Sequence, residues 1–394
     1  MDKHSFRQEV EQTLHDNILR FWRERMADPA RGGYFGRMTG EGAVEPDAPR
    51  GAVLCARILW AFAAAYRATG REEYRAEAER ARDYLLDRFY DARFGGVYWS
   101  LAADGSPLDT KKQIYALGFA VYGLSELARA TGDRRALEYA RQLFHTIEEH
   151  SFDRLRNGYF EAFTRDWQEL DDMRLSAKDA NERKTMNTHL HILEPYTNLY
   201  RVWRDDWLRE RIRNLIEVFA ERIYDPATHH LGLFFDEEWR RRDAGFSYGH
   251  DIEASWLLLE AALEIGDESL TARLMPVVRR IAEAAAEGVR PDGSMVYECH
   301  ADGRVDEERH WWVQAEQVVG QLWLWHYHGD EQAYERAAAC WRYIRREMVD
   351  AEGGEWWWGV LPDGTKDRAN DKAGFWKCPY HNTRMCLEAM ALLR

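Results

Sequence analysis

Cysteine is scarce: Cys55, Cys299, Cys340, Cys378 and Cys386 are five scattered residues among 394, with no CxxC pair. Such spacing argues against a disulfide framework or a structural zinc site and fits a reducing, cytoplasmic setting. Positive charge is also short. Lys and Arg number 54 against 68 Asp and Glu, for a net charge of -14. Nucleic acid and anionic membrane surfaces are therefore poor partners. Only eight of the basic residues are lysine, and the arginine excess carries no functional reading. No stretch of about 18 apolar residues is expected to span a bilayer. The first residues, MDKHSFRQEVEQ, lack the apolar core of a signal peptide. Aromatics, by contrast, are abundant. With 17 Trp, 19 Tyr and 16 Phe, the chain is far too apolar for a disordered polymer.

Six short segments repeat one theme, a Gly followed by aromatic or apolar β-formers. They are GGYFGRM at Gly33, GGVYWSLAADG at Gly96, NGYFEAF at Gly158, LGLFFDEEW at Gly232, DGSMVYECHADG at Gly293 and GGEWWWGVLPDG at Gly354. Successive intervals are 63, 62, 74, 61 and 61 residues, and the long one holds a polar insertion near 165–184. Gly beside alternating aromatics reads as a short β-hairpin. Asp104-Gly105, Asp302-Gly303 and Asp363-Gly364 supply turns.

Between hairpins the periodicity is helical. A charged amphipathic helix precedes each hairpin, as in 71–91, 205–225 and 330–350. A far more apolar helix follows, as in RILWAFAAAY (57–66) or IEASWLLLEAALEI (252–265). Helices apolar nearly all round are buried ones, and Gly70, Gly132, Gly266 and Gly329 stand where C-caps belong. Six wet and six dry helices predict an all-α, (α/α)6 barrel over 1–394 as a single domain. Its inner ring is dry, its outer ring wet, and its hairpins gather at one end.

The inner helices open with Arg57, Tyr115, His191, His250, Trp312 and His381, which should converge on the hairpin-side mouth. Backbone N–H groups unpaired at the helix starts suit oxygen-rich ligands there. Asn187 lies four residues before His191, and Glu253 lies three after His250, in position to orient it. Trp376 and His381 bracket Pro379. Indole and phenol rings at a mouth suit sugar rings, although many of the 17 Trp must simply fill a wide barrel. Three histidines could suggest a metal. They come from the third, fourth and sixth inner helices, too far apart for one ion, and no HExxH motif occurs, so neither metal nor cofactor is expected. A glycosidase needs two opposed carboxylates. The rim offers Asp179, Asp251, Glu253 and Glu316, but histidine dominates the helix starts. Two histidines suit removal of a proton from one face of a carbon and its return to the other.

NTHLHILEPY, SYGHDIEASWLL, EWWWG and WKCPYHN closely resemble the cellobiose 2-epimerases within the N-acylglucosamine 2-epimerase superfamily, along the whole chain. The resemblance implies cofactor-free interconversion of glucose and mannose at the reducing end of β-1,4-linked disaccharides: cellobiose to glucosyl-mannose, lactose to epilactose. By motif, it implies that His250 and His381 move the C2 proton and that His191 binds the reacting sugar and helps open the ring. Arg57 would then stabilise a cis-enediolate. Tyr115, Asn187 and Glu253 would fix hydroxyls or orient bases, Trp312 and Trp376 would stack on sugars, and Asp179 would close over them. The competing readings are an N-acylglucosamine 2-epimerase or mannose/glucose isomerase of the same superfamily, and an (α/α)6 glycoside hydrolase. A small-molecule disaccharide is the expected partner and a monomer the expected state. Pro195, inside the third inner helix, predicts a kink.

Overall fold

The computed structural model describes residues 1–394. Twelve helices follow one another as alternating outer and inner members. The outer ones are α1 (Lys3–Thr13), α3 (Glu72–Tyr84), α5 (Arg134–His150), α7 (Asp206–Val218), α9 (Glu268–Ala285) and α11 (Glu331–Tyr343). The inner ones are α2 (Ala52–Thr69), α4 (Ile114–Thr131), α6 (Met186–Val202), α8 (Tyr248–Ile265), α10 (Trp311–His328) and α12 (Tyr380–Leu392). Each inner helix packs on the next, and α12 returns to α2, so the ring closes as an (α/α)6 barrel. The four glycines expected at C-caps end α2, α4, α8 and α10 with φ between 65° and 76°, a left-handed turn that glycine enters without a Cβ clash.

Contrary to the expectation that no apolar stretch of that length exists, helix α2 is long and apolar enough to cross a membrane. Its most apolar window is 78% buried inside the protein, because α2 is a stave of the inner ring.

The β-structure is a belt of very short antiparallel pairs. The two residues before an inner helix pair with the hairpin of the next repeat: Arg50–Gly51 with Ser100–Leu101, Lys112–Gln113 with Ala162–Phe163, Lys184–Thr185 with Phe234–Phe235. Phe246–Ser247 with Glu298–Cys299 and Arg309–His310 with Gly359–Val360 continue the pattern. Met38 then pairs with Ala373, joining the last repeat to the first.

Buried ion pairs lock the hairpin turns. Asp28 holds Arg50, Asp91 holds Lys112 at 3.0 Å, Asp153 holds Lys184 at 2.8 Å, and Asp350 holds Lys372. Three of the chain's eight lysines are thus structural. Removing one member of such a pair would strand a desolvated charge, typically a loss of about 3–5 kcal/mol.

Pro195 does not break α6, which runs unbroken from Met186 to Val202. The missing N–H would have served the carbonyl of His191, four residues back. Gly118 of α4 packs so closely there that a Cβ would stand 2.3 Å from that carbonyl oxygen. The proline and the glycine together let α4 and α6 approach face to face.

Candidate active site

The hairpin end of the barrel carries a cavity of about 810 Å³. Asp179, Asn187 and His250 line it, together with Glu161 and Tyr297. Much of one wall is the polar insertion, which contributes Met173, Arg174, Leu175 and Lys178. Gln113 braces that loop by donating to the carbonyls of Met173 and Arg174. Glu161 is buried between Thr185 N–H (2.9 Å) and the Thr188 hydroxyl. No cation faces it, and burial pushes its carboxyl up to about 8.

Below and beside this cavity lie the other predicted residues. Tyr115 accepts a 2.7 Å hydrogen bond from Arg57 and stands edge-on to His191, centroids 5.0 Å apart. Arg57 also lies over the Phe119 ring, 4.1 Å from its centroid, and has no carboxylate partner, so its charge is free for a ligand oxygen. Trp312 touches both His250 (4.7 Å) and His381 (5.6 Å). Trp376 is half-buried and meets Tyr115 edge-on at 5.9 Å. Arg57, Tyr115, His191, His250, Trp312, Trp376 and His381 therefore converge at one end of the ring. Arg57 and His191 do not open their helices, however. Those helices begin at Ala52 and Met186, which places both side chains in the second turn, deeper than the other four.

Each histidine is fixed through Nδ1. His191 Nδ1 is 3.0 Å from Glu194, His381 Nδ1 is 2.7 Å from Glu316, and His250 Nδ1 is 2.9 Å from the Ser247 hydroxyl. A carboxylate only accepts, so the proton sits on Nδ1 of His191 and His381, and Nε2 keeps its lone pair as a base. Burial lowers all three histidine pKa values, that of His250 to about 3. They are neutral bases at physiological pH.

Glu253 departs from expectation. It does not orient His250, whose Nδ1 is held by the N-cap serine of its own helix. Glu253 is fully buried, bonds to Arg384, and stands 3.9 Å from His381. The residue that sequence reasoning missed is Arg384, three positions after His381. Its guanidinium binds Glu194, Glu253 and Glu316 at once. Burial and the neighbouring Glu316 push the Glu253 carboxyl well up. Glu194, penalised by burial too, is still held below its ordinary value by Arg384 and His191. Tyr380 adds a hydroxyl donor to Glu194. The i, i+3 spacings His191–Glu194 and His381–Arg384 were visible in the sequence; that they face each other across the ring was not. Asp251, expected at the rim, is buried against His230 at 2.7 Å.

Two sets, His191–Glu194–Glu253 and Glu253–Glu316–His381, bring ligand atoms within 4.8 Å of one another, as an ion would need. The Arg384 guanidinium already occupies those carboxylates, so the donor set does not suit a further cation. Glu298, His300 and Asp306 form a similar set on an exposed hairpin at the cavity edge.

The family description N-acylglucosamine 2-epimerase (GlcNAc 2-epimerase) matches residues 33–384. A cellobiose 2-epimerase of Bacteroides fragilis is 58% identical over 385 residues, 98% of each chain. One of Ruminococcus albus is 37% identical, covering 97% of each. The solved cellobiose 2-epimerase from Bacillus thermoamylovorans B4167 superposes with a TM-score of 0.94 at 40% identity, covering 98% of this chain and 99% of that one. Barrel, rim histidines and near-full-length similarity agree: the chain belongs to the N-acylglucosamine 2-epimerase family.

Proposed function

We propose that this protein is a cellobiose 2-epimerase, exchanging the configuration at C2 of the reducing-end sugar in β-1,4-linked disaccharides. The observation that carries the chemistry is the set of three neutral histidines around an arginine with no carboxylate of its own. Once the ring opens to the aldehyde, a histidine Nε2 takes the C2 proton and the electron pair moves onto the carbonyl oxygen. Arg57 stabilises the resulting enediolate charge, helped by the Tyr115 hydroxyl. The opposite histidine, transiently protonated at Nε2 by water from the cavity, gives that proton to the other face of C2, the ring closes, and the first histidine releases the proton it took back to water. His250 and His381, both against Trp312, form the two-base pair. His191 and Asn187 hold the reacting sugar. Trp312 and Trp376 supply stacking faces.

The cavity supports a disaccharide rather than a monosaccharide, because it meets the histidine cluster only at His250 and otherwise lies under the insertion that carries Asp179, leaving room for a second sugar there. A hydrolase reading fares worse: Glu194, Glu253 and Glu316, the carboxylates nearest the histidines, are all tied to Arg384 rather than facing each other across a gap.

Incubation with cellobiose in D2O, followed by NMR, tests the reading. A mannose-type reducing end with deuterium at C2 is the expected product. Free glucose would mean hydrolysis, and conversion of free mannose alone would mean a monosaccharide isomerase.

A further inference from the structure

The backbone defines equivalent positions in the hairpin turns. The N–H of Asp28, Asp91, Asp153, Asp225 and Asp350 donates to the carbonyl of Gly33, Gly96, Gly158, His230 and Glu355 respectively. Three of these positions are glycine, with φ of 62°, 70° and 83°. In the sixth repeat Glu355 adopts the same left-handed backbone, φ 62°, which a residue with a Cβ adopts only under strain. Glycine would fit, so the carboxylate is there for another purpose.

Glu355 is completely buried. Its Oε1 accepts from Lys377 Nζ (2.8 Å), Asn382 Nδ2 (2.6 Å) and its own neighbour Trp356 N–H (2.8 Å). Its Oε2 accepts from the Trp22 indole at 2.6 Å. Lys377 follows Trp376, and Asn382 follows His381. One oxygen therefore ties down both chain segments that present the stacking indole and one of the two bases, and it joins the EWWWG and WKCPYHN motifs. The other oxygen faces Trp22, in the helical segment that follows α1.

We infer that Glu355 is a positioning residue for catalysis: its Oε1 sets the separation of Trp376 and His381. The inference rests on the proposed two-base reading. Glu355→Asp keeps the negative charge and tolerates the left-handed backbone but withdraws the carboxylate by one methylene. Glu355→Gln keeps the shape and removes the charge. Trp22→Phe removes only the Oε2 contact. In D2O, deuterium at C2 is measured separately in recovered cellobiose and in the epimer, because the ratio of the two reports how the two bases share the proton and does not depend on how much protein is folded.

The expected result for Glu355→Asp is a kcat about tenfold or more below wild type, since misplacement of a catalytic group by about 1 Å can cost a hundredfold. Its deuterium ratio should shift and its KM rise. Glu355→Gln should move the same way if it folds. Trp22→Phe should lower the Tm and leave the ratio unchanged. An unchanged ratio and KM in Glu355→Asp, with activity falling only as the folded fraction falls, would overturn the inference and leave the two-base reading standing. Absence of C2 deuterium in the wild-type reaction would overturn both.

Discussion

His191 and His381 each donate Nδ1–H to a carboxylate, and both carboxylates lean on the same Arg384. An arginine cannot shed its proton in a protein, so it fixes the charge of the cluster whatever the histidines do. The histidines stay neutral because burial penalises the imidazolium, and catalysis asks each to hold a proton only transiently. His250→Ala and His381→Ala should fold with wild-type circular dichroism and lose epimerisation by about 10²–10⁴-fold, the usual worth of a general acid or base. Near-normal turnover in either would remove that residue from the two-base pair. The lowered pKa of His250 sets a sign for pH: the acid limb of kcat/KM should fall below pH 6.5, the unperturbed histidine value. Trp376→Ala should chiefly raise KM, and an unchanged KM would make the indole a packing residue.

Among elements, the contact between α4 and α6 holds the strongest constraint. Gly118 meets the His191 carbonyl where Pro195 withdraws its N–H, so one missing Cβ and one missing hydrogen bond are matched. Gly118→Ala must push α6 outward and move His191 with it. The expected cost is about 1–3 kcal/mol, typical of overpacking, seen as a lower Tm with reduced activity even in the folded fraction. An unperturbed Tm would show that the two helices have room to spare. Pro195 removes one hydrogen bond without interrupting α6, whose helical run continues to Val202. The starts assigned to α2 and α6 were late by about five residues. The first turn of α2, Ala52–Cys55, is as apolar as the rest and has no polar cap, whereas α6 opens behind the Thr185 side chain, a polar cap that marks its true start.

For the molecule as a whole, stability should depend on pH through the buried histidines. His189, His191, His250 and His381 all have folded pKa values below 6.5, those of His189 and His250 about 4 and about 3. The unfolded chain binds protons at these sites first. Their contribution is therefore complete above pH 6.5 and is lost as pH falls from there toward about 3. Glu161, Glu253 and Glu388, with raised values, act in the opposite sense, so the histidine share is read from a variant. Between pH 7 and pH 5 the Tm of His189→Gln should fall less, or rise more, than that of the wild type, and an equal change in both would contradict the burial of His189 as a neutral base.

The repeat interval, the alternation of wet and dry helices and the glycine caps determined the barrel by themselves, because 3.6-residue periodicity and left-handed turns are local properties. Local order also brought Arg57, Tyr115, His191, His250, Trp312 and His381 to one end. Only the tertiary structure decided that Glu253 turns to Arg384 instead of His250, that Glu194 and Glu316 hold two of the histidines, and that Glu355 replaces a glycine. Each of those choices depends on how far a helix is rotated about its own axis against its neighbours. That rotation is set by packing around the closed ring, which no stretch of sequence contains.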